Sequence, residues 1–287
     1  MLLRKYASLI VISHSVFALP FALWGFTLAA VETSFADWGV KLLLVIIAVI
    51  SARTAAMAFN RYADREIDAR NPRTAQREIP RGEVSPLSAL VLAIGSGVVF
   101  VGAAWLLNPL CALLAPVALL VILGYSYTKR FTYASHYILG AALGLAPIGA
   151  YVAVKGSFSP YIWSIGMAVA LWVAGFDILY ALQDEAFDRE NGLYSIPAAF
   201  GEKIARRIAL LSHLAAIILL LAIGWPLYGW GGSSVLYWIG WGGFSGFILY
   251  QHIVSQDKSK INKAFFTYNG IASVIFGLAA IAARLFS

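Results

Sequence analysis

Asn60, Asp64 and Asp68 are spaced four residues apart, and Asp184 and Asp188 repeat the spacing far later in the chain. Positions four apart on a helix differ by about 40° and rise about 6 Å, so each set shares one face. Two facing carboxylate pairs plus an amide oxygen make a hard, all-oxygen environment. That environment suits Mg²⁺, which prefers oxygen ligands, keeps several waters and commonly bridges to phosphate. Zinc is disfavoured. His14, His136, His213 and His252 are far apart in sequence, and the single Cys111 lies in an apolar run, where no intramolecular disulfide is possible.

Carboxylates alone would repel a diphosphate, but Mg²⁺ and nearby cations reverse the sign. Such cations follow the first motif as Arg61, Arg65, Arg73 and Arg77. Lys129 and Arg130 follow Tyr125-Ser126-Tyr127-Thr128. Arg53 and Asp177 continue the two acidic faces about two turns inward, where ionisable groups are costly and usually functional. The bland alternative is a solvated helix end with i,i+3 pairs such as Arg61–Asp64 or Arg65–Asp68. Two motifs equally placed, each extended inward by a polar stripe, weigh against it.

The elements that position these residues are apolar. Of 287 residues, 61% are hydrophobic and 12% charged, against about 25% charged in soluble domains. Runs of about 20 apolar residues sit near 9–31, 39–59, 86–107, 109–127, 135–154, 161–181, 204–224, 234–254 and 264–286. This predicts an all-α membrane protein with about nine transmembrane helices, read as one domain over 1–287. The first run is too long, and too interrupted by Ser13, His14, Ser15 and Pro20, for a cleaved signal. Asn108-Pro109 marks the least distinct boundary, since Pro can kink a helix as well as begin one.

Seventeen of the 21 Lys and Arg fall at the N-terminus and in alternate loops, with Lys41 and Lys155 in the opposite loops. The positive-inside rule places the N-terminus and both acidic motifs on the cytoplasmic side of the inner membrane. The net charge of +7 is thereby explained by topology, with no nucleic-acid partner. Loops at 69–85 and 189–201, each following an acidic motif and each containing Ile-Pro, are expected to cap the site. Polar stripes and weak internal symmetry also fit a transporter, but paired Asp at a single level count against one.

Asn60-x3-Asp64-x3-Asp68 with Asn71-Pro72-Arg73-Thr74-x2-Arg77, and Tyr180-x3-Asp184-x3-Asp188, resemble the motifs of the UbiA superfamily of intramembrane prenyltransferases. Tyr127-Thr128-Lys129-Arg130-Phe131-Thr132 is a looser match. The likeness covers nearly the whole chain and is greatest to the 4-hydroxybenzoate polyprenyltransferase group. Residues 73–80 and 175–184 look especially like the branch tied to menaquinone formation through futalosine. The chain departs from many relatives in having Arg61 after Asn60, where they carry a further acid.

The resemblance implies a helical bundle around a central cavity open to lipid, and transfer of a polyprenyl group from its diphosphate to an aromatic acid, of 4-hydroxybenzoate or dihydroxynaphthoate type, in ubiquinone or menaquinone biosynthesis. It implies Mg²⁺ on Asn60, Asp64, Asp68, Asp184 and Asp188, and diphosphate binding by Arg73, Arg77, Lys129 and Arg130, with Tyr180 beside them. Arg53 is expected to meet the acceptor carboxylate, and Asp177 to orient the acceptor or take its proton. A non-aromatic or tetrapyrrole acceptor is the alternative.

Overall fold

The computed structural model describes Leu9, residues 15–34 and residues 38–286. Arg4, Lys5, Ser13 and His14, and with them most of the N-terminal part of the first apolar run, lie outside the described residues. Among the described residues every regular element is helical. Among the described residues, seven helices are long and apolar enough to cross a membrane: α2 (Trp38–Ala63), α4 (Pro86–Leu107), α5 (Pro109–Thr128), α6 (Ser135–Lys155), α7 (Pro160–Ala181), α9 (Ile196–Tyr228), and the C-terminal stretch ending in α11 (Asn269–Leu285). The described part of α1 (Ser15–Ala30) is shorter. In α10 (Ser234–Val254) Gly, Trp and Tyr dilute the hydropathy over an adequate length. The short helices α3 (Arg65–Arg70) and α8 (Glu185–Glu190) carry the acidic motifs.

Helix starts follow local chemistry. Pro opens α4, α5 and α7, where its missing N–H costs nothing. Ser85 and Asn108 cap α4 and α5 by accepting from the Ser88 and Cys111 amides at 3.1 and 2.9 Å. The Asn108-Pro109 boundary is a true break: Asn108 is extended, and its side-chain amide donates to the Val152 carbonyl at 2.9 Å.

Successive long helices pack as neighbours, and α1 closes the circuit against α6, α11 and α2. Small residues allow the closest approaches. Gly140 and Gly144 on α6 lie against the carbonyls of Ala170 and Gly166 on α7, so near that a Cβ at either would collide with the backbone. This is the small-xxx-small packing of membrane helices, used reciprocally.

The two halves differ in filling. Around α1, α7, α9, α10 and α11 the core is aromatic, with Phe21, Trp24, Trp172, Tyr237, Phe244 and Phe276 fully buried. Asn269 sits within it, bonded to Trp172 and Gln251 at 2.9 and 2.7 Å just after a π-helical segment, Ala264–Tyr268. That irregularity lets Phe265 pack on Tyr180 at 4.4 Å. Between α2, α4, α5 and α6 the bundle is hollow. A cavity of about 340 Å³ is lined largely by Ala, Val and Leu, with Arg53 and Tyr125 among its few polar residues. Its wall from Cys111 to Tyr125 spans about 21 Å at helical rise. A chamber this apolar suits apolar ligands.

Two boundaries differ from the sequence reading. The second loop is shorter than residues 189–201, because Ser195 accepts from the Ala198 amide at 3.3 Å and starts α9 at Ile196. Gly201, at φ 78°, then kinks α9 at the expected end of that loop, just before the apolar run near 204. The acidic motifs are also not simple helix ends. Asp64 (φ −93°, ψ 0°) and Asp184 (φ −105°, ψ 5°) each sit at a break between a long helix and a six-residue one, and neither side chain caps its helix. Both carboxylates are thereby free to face the site.

Candidate active site

The ends of α2, α5 and α7 converge at the head of the cavity. On α2, the Asn60 side-chain amide donates to Asp64 Oδ2 at 3.1 Å and lies 3.5 Å from Ser126 Oγ of α5. Lys129 Nζ, just past α5, is 2.7 Å from Asp64 Oδ2, and Arg130 lies 3.5 Å from Asp64 Oδ1. Asp68 is gripped through both oxygens by Arg77 at 2.7 and 2.8 Å. The segment after α3 then crosses to the second motif. Asn71 donates to Asp184 Oδ1 at 2.9 Å, and Arg73 binds the same carboxylate through two nitrogens. Arg73 also donates to the Tyr180 hydroxyl at 2.8 Å and lies over its ring.

Ten of the residues expected at the site are therefore brought together: Asn60, Asp64, Asp68, Arg73, Arg77, Lys129, Arg130, Tyr180, Asp184 and Asp188. Asp188 interacts electrostatically with Asp184 and Lys129, and Ser195 lies beside it. Burial pushes its carboxyl up to about 6, against the lowering effect of Ser195. For Arg73, burial disfavours the charge, but the Asp184 and Tyr180 contacts outweigh it and raise its pKa. The i,i+3 pairs of a bland helix end do not form. Arg65 turns to Glu66 at 3.0 Å and to the Tyr62 ring, while Arg61 is buried at 8% exposure in the first wall.

Deeper in, Arg53 and Tyr125 line the mouth of the cavity. Buried Arg53 Nε has no hydrogen-bond partner. Tyr125 interacts electrostatically with Arg53, Asp64 and Asp177, which joins the polar head to the apolar chamber. Asp177 is not alone: His136 Nδ1 lies 2.7 Å from its Oδ2.

The donor set fits a Mg²⁺ ion that is shared with a phosphate ligand. Buried Asp64 Oδ1 has no hydrogen-bond partner, only the ion pair to Arg130 at 3.5 Å. All the offered ligands are oxygens. Among the described residues no three carboxylate, imidazole or thiol side chains converge as a complete cage. Mg²⁺ needs only one or two carboxylates when phosphate oxygens and water supply the rest.

The sequence model of the UbiA prenyltransferase family matches residues 18–271. The chain belongs to this family. A UbiA homologue of Aeropyrum pernix, solved without ligand, is 34% identical, with a TM-score of 0.83 over 93% of this chain and 97% of that one. The 4-hydroxybenzoate octaprenyltransferase of Shewanella woodyi is 32% identical over 82% of this chain and 81% of its own. That of Aliivibrio fischeri is 32% identical over 88% and 87%. A UbiA homologue of Archaeoglobus fulgidus, solved with GPP and Mg²⁺, shares the fold at 22% identity and a TM-score of 0.70. This UbiA chain is thus a multi-pass membrane prenyltransferase.

Several residues at the site had no distinctive signal in the sequence. Asn71 stood out only as a loop breaker and part of a motif. His136, Tyr125 and Ser195 belong to common residue types, and only the fold brings them to the motifs.

Proposed function

We propose that this protein transfers a polyprenyl group from a polyprenyl diphosphate to a small aromatic acid, at the cytoplasmic face of the inner membrane. The observation that carries this reading is the joining of both acidic motifs and four cations at the head of an apolar chamber. The diphosphate would sit among the motifs, with the prenyl chain running down between α2, α4, α5 and α6. Among family members, relatives named for 4-hydroxybenzoate support an aromatic acceptor. Dihydroxynaphthoate remains a second candidate from the wording of residues 73–80 and 175–184.

Asn60, Asp64, Asp68, Asp184 and Asp188 are the residues that would hold Mg²⁺. When bound, the ion supplies positive charge that stabilises the departing diphosphate. Without substrate the protein's own cations occupy the carboxylates: Lys129 on Asp64, Arg77 on Asp68 and Arg73 on Asp184. Donor binding moves these cations onto phosphate oxygens, where they stabilise the charge that develops as the allylic C–O bond breaks. Arg53, at the chamber mouth, holds the acceptor carboxylate through its guanidinium fork. Asp177 orients the acceptor ring and takes its proton after alkylation. The segments 71–85 and 191–195 act as caps that keep water from the allylic cation.

The test is a reconstituted assay in lipid with Mg²⁺ and a polyprenyl diphosphate, offering 4-hydroxybenzoate and dihydroxynaphthoates in parallel. Prenylated product is expected with at least one aromatic acid, and Arg53→Leu should raise the acceptor KM at least about tenfold by loss of a charge-assisted pair. Absence of product with every acceptor, where a known relative is active, refutes the reading.

A further inference from the structure

Asp177 and His136 form a pair whose proton positions can be assigned. The backbone N–H of Ile196 points at His136 Nε2 across 3.2 Å. An amide N–H can only donate, so Nε2 accepts and carries no hydrogen. In the neutral ring the hydrogen is then on Nδ1, which donates to Asp177 Oδ2 at 2.7 Å. His136 is 4% exposed, whereas Asp177 keeps 24% of its side chain accessible. The imidazole is therefore a fixed support, and the carboxylate is the member that can reach a substrate.

Ile196 opens α9, so its N–H has no partner within the helix and His136 supplies one. The preceding residue, Ser195, lies beside Asp188 of the second motif. Two consecutive residues at the end of the second cytoplasmic segment thus contact both parts of the site. The segment is anchored further by the Tyr194 amide, which donates to the Lys129 carbonyl at 2.7 Å.

We propose that His136 is the positioning residue for the base of this reaction: it fixes Asp177 as a hydrogen-bond acceptor aimed at the acceptor ring, and its tautomer is set by the docking of Ile196. The assignment rests on the aromatic-acceptor reading above. In the step concerned, the ring uses a π pair to form the C–C bond as diphosphate leaves with the C–O pair. The ring C–H bond then breaks, its electron pair restores aromaticity, and the proton passes to Asp177.

Two conservative substitutions separate the two contacts of His136. Asn places an amide N–H near the position of Nδ1 and can serve Asp177. Gln reaches the position of Nε2 and can accept from Ile196, but cannot serve Asp177. Turnover and KM are measured in reconstituted enzyme, with the acceptor carrying protium or deuterium at the alkylated carbon. With His136→Gln, which misplaces the base without removing it, kcat should fall about 30-fold or more, approaching the 10²–10⁴ typical of general-base catalysis, while donor KM stays within about threefold. Its deuterium isotope effect should rise from near unity to above about 2, as proton removal becomes rate-limiting. His136→Asn should turn over at least about ten times faster than His136→Gln. Asp177→Asn, which leaves His136 and the segment docked, should show the same rise in isotope effect. Equal losses in both His136 variants, or isotope effects that stay at unity in the slowed enzymes, overturn the role of His136. A wild-type enzyme that prenylates no aromatic acid overturns the underlying reading, and this assignment with it.

Discussion

Asn71 Nδ2 donates to Asp184 Oδ1 across 2.9 Å, joining the two acidic motifs through a single side-chain amide. The Asn71 oxygen in turn accepts from the Arg73 backbone at 2.9 Å, which shapes the turn that delivers Arg73 to the same carboxylate. Asn71 is buried, so its loss leaves polar groups short of partners at a cost of about 1–3 kcal/mol. Asn71→Ala should lower the thermal midpoint of the substrate-free protein and raise the donor KM about tenfold. Asn71→Asp, which sets like charges together, should be worse on both counts. Thermal melts and donor titrations of the two variants check this; wild-type behaviour in both would mean the bridge has no part in donor binding.

Lys129 has two opposed effects. In the substrate-free site it neutralises Asp64 at 2.7 Å and so competes with a metal for that oxygen. On the proposed reading, its charge favours diphosphate departure in the transition state. Lys129→Met should therefore strengthen Mg²⁺ binding measured without donor, while lowering kcat by about 10²–10³. Calorimetric metal titration alongside steady-state turnover separates the two. Weaker metal binding in the variant would contradict the competition.

Asp188 carries a pH signature. Burial raises its pKa from 3.8 to about 6. Between about pH 4 and 6 the folded chain then holds more protons than the unfolded chain, so Asp188 lowers metal-free stability as pH rises through that window and keeps it lowered above. Asp188→Asn removes the penalised charge. Its metal-free melting temperature should exceed that of wild type at neutral pH, the advantage should vanish below about pH 4, and turnover should be strongly reduced. Melting curves across pH decide it; a variant less stable than wild type at neutral pH would show that the buried charge is well solvated.

The α6–α7 contact should tolerate no added methyl. Gly140→Ala puts a Cβ into the Ala170 carbonyl, and such overpacking typically costs about 1–3 kcal/mol. Gly149, on the same helix but with open space where a Cβ would stand, should accept Ala without loss. Comparing folded yield and thermal midpoint of the two variants checks the pairing; equal behaviour would refute it.

Much of this was legible in the sequence because it depends on local spacing. The four-residue period of Asn60, Asp64 and Asp68, the apolar runs and the motif wording led to an all-helical membrane prenyltransferase of this family. What the sequence could not convey depends on contacts across the fold. Nothing local to Lys129 says that it reaches Asp64, or that Arg73 will pass its nearer acids for Asp184. His136 reads as an ordinary core histidine until α6 and α7 are packed side by side. The backbone breaks at Asp64 and Asp184 were missed because both residues continue a helical pattern, and the choice not to cap is made by partners elsewhere in the chain. The early start of α9 was hidden by Pro197, which reads as a breaker but sits in the first turn, where it is tolerated.

The pairing of each cation with a carboxylate has a bearing on the end of the cycle. An anion site built from unpaired positive charge would cling to inorganic diphosphate and stall after every turnover. Here each cation has an internal anion to return to: Lys129 to Asp64, Arg77 to Asp68, Arg73 to Asp184. On the proposed reading, closure of those pairs displaces the spent leaving group, so product exit is driven by the protein's own charges.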